Sequence, residues 1–364
     1  MGSALETLCG QAFSAGQTYM LGIYMQRSWI ILLVSCIILT PIYLFATPVL
    51  KLLGQRDDIS EMARQFAVQI IPQMFSLAIN FPSQKFLQSQ SKVGVLAWIG
   101  FWALIFHIFL LWLFIYVFGW GTVGAVVAYN ISGWIVSLAQ VVYVVKWCTD
   151  GWKGLSWLAF KEIWAFVRLS LASDVMLCLE IWYMMVLVVL TGHLGDAVIA
   201  VGMNINGWEG MLFIGINVVV SVRVSNELGC GHPRAAKYSV MVVVLESLII
   251  GLFFMFVILI SRDHFPIIFT SSKELQQVVA RLAYLLGITM VLNSIQPVIS
   301  GVAVGGGWQA LVAYINLACY YIFGLPLEGI WAGMLCGTAL QTLVLLIIIC
   351  KTNWTKEVEF KESL

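Results

Sequence analysis

Apolar residues run along the chain in long blocks, broken by short polar stretches. The blocks lie near 25–53, 62–84, 94–118, 122–146, 166–191, 197–222, 239–261, 277–304, 308–327 and 329–350. Each is long enough to supply the roughly 20 apolar residues that a helix needs to cross a bilayer, which predicts ten membrane spans. Residues 1–16 read as the tail of a further helix, and Lys51–Asp58, Lys146–Lys161, Gly231–Lys237, Arg262–Glu274 and Lys351–Leu364 read as loops. Within 152–165, Trp152, Lys153, Trp157, Lys161, Glu162 and Trp164 mix aromatic and charged groups, which predicts a helix lying in the membrane interface. The expected class is an all-α multi-pass membrane protein. Its expected organisation is a first bundle over 1–146, a cytosolic linker over 147–165, a second bundle over 166–350 and a cytosolic tail over 351–364.

Composition agrees with the pattern. Apolar residues make up 61% and charged residues 10%, with a mean hydropathy of +0.95, against roughly 45–50% and about 25% in a soluble domain. Disorder, collagen-like repetition and a disulfide-knit secreted module are excluded. The 19 basic and 18 acidic residues leave a charge of +1, so no nucleic-acid partner is expected. Their distribution sets the orientation. Arg27, Lys85, Lys92, Lys146, Lys153, Lys161, Arg168, Arg223, Arg234, Lys237, Lys351, Lys356 and Lys361 fall on one side, and Lys51, Arg56, Arg64, Arg262, Lys273 and Arg281 on the other. By the positive-inside rule the C-terminus is cytosolic, and the Asn353-Trp354-Thr355 sequon would escape glycosylation. The N-terminal residues carry no basic leader, no cleavable signal and no myristoylation pattern.

Cys9, Cys36, Cys148, Cys178, Cys230, Cys319, Cys336 and Cys350 are scattered without metal-ligand spacing and read as small packing residues. No nucleophile elbow, zinc-protease motif, Walker loop or dinucleotide fingerprint occurs. The expectation is a protein that is not an enzyme, with neither metal nor cofactor.

Two halves of the chain echo each other. Gly10-Gln11-Ala12-Phe13-Ser14-Ala15-Gly16-Gln17 matches Ser225-Asn226-Glu227-Leu228-Gly229-Cys230-Gly231-His232 at a shift of 215, which also carries Pro82 onto Pro297. A third echo, Thr122-Val123-Gly124-Ala125 against Leu327-Glu328-Gly329-Ile330, needs a shift of 205, so the second half is some ten residues short between the last two echoes. Duplicated halves are a transporter architecture with substrate sites near mid-membrane.

Ionisable groups inside a bilayer are expensive, and Glu6, His107, Asp174, Glu180, Glu209 and Glu246 fall in or near spans. Asp174 is near enough to the cytosolic end to snorkel, and Glu246 and His107 have no polar companions at helical spacing. Glu180 lies mid-span in Leu177-Cys178-Leu179-Glu180-Ile181-Trp182-Tyr183. A carboxyl there suits a proton carrier, and equally a packing group fixed by hydroxyls and amides. Asn206, Glu209, Phe213 and Asn217 recur at helical spacing and form a stripe that either lines a cavity or bonds a neighbouring helix; Asn204 lies off it. Asn293, Gln296 and Ser300 form a second such set beside Pro297. The proline removes a donor and frees a carbonyl, so this point reads as a hinge, a binding site or both, with Pro82 its counterpart hinge. Tyr183, Trp208, Tyr314, Tyr320 and Tyr321 are candidate aromatic walls for a flat substrate.

Several motifs are specific in combination. Ser3-Ala4-Leu5-Glu6-Thr7-Leu8-Cys9-Gly10-Gln11-Ala12-Phe13 resembles the end of the second helix in plant multidrug and toxic compound extrusion (MATE) transporters, the DETOXIFICATION family. Arg223-Val224-Ser225-Asn226-Glu227-Leu228-Gly229 with His232-Pro233-Arg234-Ala235-Ala236-Lys237 is similar to their eighth-helix ending. Lys85-Phe86-Leu87-Gln88-Ser89-Gln90, Gly192-His193-Leu194-Gly195, Leu177-Cys178-Leu179-Glu180 and Ser300-Gly301-Val302-Ala303-Val304-Gly305 also match, and Val304 resembles the flavonoid-transporting subgroup. The resemblance covers the whole chain. It implies a MATE-type two-lobe bundle with a twelve-helix parent, represented here by about ten helices plus a partial one. It also implies alternating access by rocking of the lobes, with export or sequestration of organic solutes in exchange for H⁺.

By the same resemblance Glu180 is the seventh-helix coupling acid, and Asn293 stands where many relatives have Asp. The polar sets read from helical spacing, with Tyr183, supply the expected substrate- and cavity-lining groups: Tyr183, Asn206, Glu209, Asn217, Asn293 and Gln296. Met1 corresponds to a position inside the second helix, and Leu325-Pro326-Leu327-Glu328-Gly329 lacks a connector that relatives carry, so spans 308–327 and 329–350 are expected to cross with a tight turn between them. Two readings follow: a secondary antiporter for flavonoid-like or xenobiotic molecules, and a transport-inactive truncated form of one. The expected partners are a small organic substrate, H⁺ and the lipid of a vacuolar or plasma membrane, with no oligomer required.

Overall fold

The structure is a computed structural model of the chain. It describes residues 2–52, 57–161, 163–193, 197–268, 273–324 and 330–362. The expected tight turn at 325–329, Leu194-Gly195 of one family motif and the Asn204 side chain lie outside what is described. Among the described residues the secondary structure is helical throughout, with no strand, and the protein is an all-α multi-pass membrane protein. Two compact units emerge, Met1–Val167 and Arg168–Leu364.

The first unit contains α1 (Gly2–Ser14), α2 (Thr18–Leu44), α3 (Ala46–Leu52), α4 (Asp57–Ser89), α5 (Val93–Leu111) and α6 (Gly121–Trp147). The second contains most of α7 (Ile163–His193), then α8 (Ala197–Gly229), α9 (Pro233–Ser261), α10 (Lys273–Gly306), α11 (Gln309–Asn316), α12 (Ile330–Lys351) and α13 (Trp354–Glu362). Among the described residues a helix lies in every apolar block, and several outrun the block by a turn or more. Large apolar side chains such as Ile37, Ile38, Trp98, Trp102, Phe253, Phe256 and Ile260 are exposed. Polar side chains such as Ser76, Ser137 and Gln140 are buried. This is the distribution expected where lipid is the solvent and polar groups must find partners between helices. Ser76 and Ser137 hydroxyls meet at 2.8 Å and Asn130 donates to the Gln69 carbonyl at 2.8 Å, joining α4 to α6. His107, without a polar companion on its own helix, meets Ser132 of α6 at 2.9 Å.

The duplication has a structural signature. After α1, Gln17 N–H donates to the Ala12 carbonyl at 2.9 Å across Gly16, whose φ is +77°. After α8, His232 N–H donates to Glu227 at 2.9 Å across Gly231, whose φ is +73°. These are the same helix-ending turns, and both need the left-handed residue that glycine supplies. The helices that follow Lys92 and Trp308 also end alike, in π-helical turns over Trp112–Val117 and Leu317–Gly324.

Two expectations are corrected. The expected interfacial helix does not form over 152–161: the linker is extended around Ser156 and makes only a 3₁₀ turn, Trp157–Phe160, ahead of α7. Gly154 takes a φ of +92°, and the side chain of Gln26 claims the backbone that a helix would use. It donates to the Gly154 carbonyl at 3.0 Å and accepts from Ser156 N–H at 2.8 Å. After Trp308 the described apolar helix is Gln309–Gly324, in two segments of 8 residues each. Finally, the 351–364 tail contains α13. Asn353 caps it by accepting from Thr355 N–H at 3.2 Å, and Trp354 packs on Trp308 with ring centres 5.9 Å apart. Trp354 and Val358 belong to the core of the second unit.

Candidate functional site

The second unit brings α7, α8 and α10 together around a set of uncharged amides and two carboxyl groups. Helices α8 and α10 run in the same direction. Asn293 Nδ2 of α10 donates to Asn206 Oδ1 of α8 at 2.8 Å, and four residues on along α10 the Pro297 carbonyl accepts from Asn217 Nδ2. Close approach of the two backbones depends on Gly301 and Gly305. A Cβ at Gly301 would lie 2.5 Å from the Asn217 carbonyl oxygen, and one at Gly305 2.5 Å from that of Ser221. Small residues of this kind let membrane helices pack backbone to backbone.

Pro297 has no N–H to donate, so the Asn293 carbonyl lacks its helical partner and polar side chains collect at that level. Gln296 Nε2 donates to Glu180 Oε1 of α7 at 3.1 Å and to Ser300 Oγ at 3.3 Å. One amide thus ties the mid-membrane acid of α7 to the proline-containing turn of α10. Glu209 occupies α8 between the two asparagines that bond α10. It is 5% exposed, and neither carboxyl oxygen has a hydrogen-bond partner.

Beside this lies an aromatic cluster. Tyr183 is fully buried and stacks on Tyr320 with centres 4.5 Å apart and planes 9° apart, and Tyr321 meets its edge. Tyr320 O–H donates to Gln341 of α12, Gln341 Nε2 donates to Asn316 Oδ1 at 2.7 Å, and Asn316 Nδ2 donates to the Met176 carbonyl at 3.3 Å. Tyr321 O–H reaches the Leu179 carbonyl at 2.8 Å. These bonds fix the part of α7 that carries Glu180.

The structure therefore gathers Glu180, Asn206, Glu209, Asn217, Asn293, Gln296 and Ser300 onto three adjoining helices. Of the residues predicted as aromatic walls it joins Tyr183, Tyr320 and Tyr321. Trp208 and Tyr314 are 67% and 73% exposed and stand outside that cluster. Asn206 and Asn217 bond α10, the interhelical alternative for their stripe. Pro82 and Pro297 lie within α4 and α10, which run through them without a break. Asn316 and Gln341 are absent from the sequence-based sets: each is a lone amide in an apolar block, and what distinguishes them is the bond between them across two helices. Among the described residues no three His, Cys, Asp or Glu side chains converge to hold a metal ion.

In the first unit Glu6 is 2% exposed and pairs with Lys85 of α4. It is a buried ion pair that joins α1 to α4, near the chain's start.

Comparison with known proteins places this arrangement. The MatE family model matches residues 1–113 and 173–330. Protein DETOXIFICATION 35 of Arabidopsis thaliana is 69% identical over 376 residues, covering 99% of this chain and 77% of that protein. Protein DETOXIFICATION 34 of the same plant is 68% identical over 376 residues, covering 99% and 69%. The crystal structure of the eukaryotic MATE transporter AtDTX14 superposes with a TM-score of 0.92 at 30% identity, covering all of this chain and 85% of that one. The Vibrio cholerae MATE transporter VcmN in its bent form shares the fold alone, with a TM-score of 0.82 at 16% identity over 99% of this chain and 84% of that one. By model, sequence and fold, the chain belongs to the MATE family of membrane transporters.

Proposed function

We propose that the protein is a secondary antiporter that exports or sequesters organic solutes, flavonoid-like or xenobiotic, in exchange for protons through alternating access. Glu180 is the coupling group. The observation that carries this reading is the bond from Gln296 to Glu180: a mid-membrane carboxyl held by a single amide donor, one residue from Pro297. A carboxylate there is expensive without partners, and an amide shared between Glu180 and Ser300 lets the site report whether the proton is present. Proton arrival at Glu180 weakens its hold on Gln296, leaves the amide to Ser300 alone, and so alters the turn of α10 from which Asn293 reaches α8. Alternating access then couples that turn to substrate release. The protein resides in a vacuolar or plasma membrane with its C-terminus in the cytosol.

Uptake driven by a pH gradient into membrane vesicles tests this, with a flavonoid glycoside and a lipophilic cation as substrates. The expected result is gradient-dependent uptake that Glu180→Gln abolishes. Uptake by the Gln variant at the unaltered rate would refute Glu180 as the coupling group.

A second reading is a transport-inactive form, favoured by the second half being some ten residues short between the last two sequence echoes. Under it, the chain transports only after that shortfall is made up by insertion within 325–329. Transport without the insertion would reject it.

A further inference from the structure

We infer that Glu209 is a second proton-exchanging carboxyl of this unit and the group that selects positively charged substrates. The inference rests on the antiporter reading above and deepens it by naming a substrate class. Three observations carry it.

First, Glu209 is buried and both of its carboxyl oxygens are shielded from solvent without a hydrogen-bond partner, which is rare for any buried polar group and costly for a charged one. Second, its position is built. Asn206, one turn earlier on α8, is held by Asn293, and Asn217, two turns later, is held by the Pro297 carbonyl. The carboxyl is therefore presented from a segment of α8 fixed at both ends against α10. Third, no basic side chain among the described residues pairs with it. The elements packed against α8 are α9, α10 and α13, and α7 adjoins it, with Met176 and Leu179 sharing a core with Phe213 and Ile216. Their basic residues are Arg168 and His193 toward the two ends of α7, Arg234 and Lys237 in the first turns of α9, Lys273 and Arg281 in the first part of α10, and Lys356 and Lys361 of α13; none pairs with Glu209. Of their acidic residues, Asp174 and Glu180 lie on α7, the latter accepting from Gln296, Glu246 of α9 is exposed, and Glu274 of α10 and Glu357, Glu359 and Glu362 of α13 stand near helix ends. Tyr238 and Tyr284 are exposed.

A carboxyl in this setting is accommodated as the neutral acid until a cation reaches it. The exchange balances. The O–H bond of Glu209 breaks, its proton passes to water, and the carboxylate left behind pairs with the positive charge of the ligand, so the site is uncharged before and after. A neutral solute has no charge to offer and leaves the proton in place. Glu209 thereby separates two classes of substrate that the rest of the amide-lined site treats alike.

The test uses the full chain purified in detergent, at equilibrium and without a gradient. Ethidium is the cationic probe, because its permanent charge means that any proton released comes from the protein, and a flavonoid glycoside is the neutral one. Binding is read by fluorescence, and proton release by a pH-indicator dye in weak buffer. The expected result is proton release on ethidium binding. Glu209→Gln should abolish that release and weaken ethidium at least about tenfold, with flavonoid affinity unchanged within about twofold, and Glu209→Asp should restore part of the cation binding. Three outcomes overturn the proposal: Glu209→Gln binds ethidium and releases protons as before; Glu180→Gln alone loses both; or Glu209→Gln loses both ligands equally and Glu209→Asp does not repair it. Because no gradient is applied, a chain that fails in pH-driven uptake can still pass here, so the two readings fail separately.

Discussion

Replacing Gly301 by alanine probes the contact on which the site depends. The added Cβ would sit 2.5 Å from the Asn217 carbonyl oxygen, 2.9 Å from a Val220 methyl and 3.0 Å from Asn217 Cγ, where 3.4 Å is an ordinary contact. The nearest obstacle is backbone, so α8 and α10 must part by about an ångström, and overpacking of this kind costs about 1–3 kcal/mol. The same movement carries Asn217 away from the Pro297 carbonyl, at about 0.5–1.5 kcal/mol for the lost bond. Alanine also favours the helix over glycine by about 1 kcal/mol, and that gain must be subtracted out. Gly215→Ala on α8 provides the control, since nothing lies within 4 Å of its Cβ and it receives only the propensity gain. The two variants should therefore differ by about 1.5–4.5 kcal/mol. Thermal unfolding in detergent measures this, and Gly301→Ala should melt several degrees below Gly215→Ala. Coincident melting points, or a higher one for Gly301→Ala, would refute the claim that backbone contact between α8 and α10 holds the site.

Removing the amide donor with Gln296→Leu should lower the initial rate of gradient-driven uptake about tenfold or more, since a hydrogen bond to a charged group is worth about 1.5–3 kcal/mol and each ~1.4 kcal/mol is a factor of ten. Lys85→Met leaves Glu6 buried without its partner, which should cost about 3–5 kcal/mol in unfolding measurements, and the double variant with Glu6→Leu should recover most of it. Trp354→Ala, which empties the contact with Trp308 at the foot of α13, should destabilise the chain by about 3–5 kcal/mol; a melting point within a degree of the unaltered protein would show that α13 is not docked.

The blocks of apolar residues determined the membrane helices by themselves, because a spanning segment must satisfy its backbone internally and face lipid with apolar side chains. Those demands act on composition along the chain. Pro82 with Pro297, and Gly16 with Gly231, declared the duplication for a similar reason: a missing donor or a left-handed turn is tied to one residue type. Glu180, Glu209 and Asn293 were legible as groups that do not belong in hydrocarbon. Their partners were not. Gln296 bonds Glu180 across 116 positions of sequence, and Gln341 holds Tyr320 and Asn316 from another helix; helical spacing says which side chains share a face and nothing about which helix that face meets. Composition also misjudged the linker, where aromatic and basic residues predicted an interfacial helix, because the decisive group was the Gln26 amide far back in α2, which takes the linker's own backbone bonds. The sequence alone settled which residues enter the membrane, since lipid acts on each segment separately, whereas only the tertiary structure decided that Glu180 has a donor and Glu209 has none, because pairing depends on which helices are neighbours.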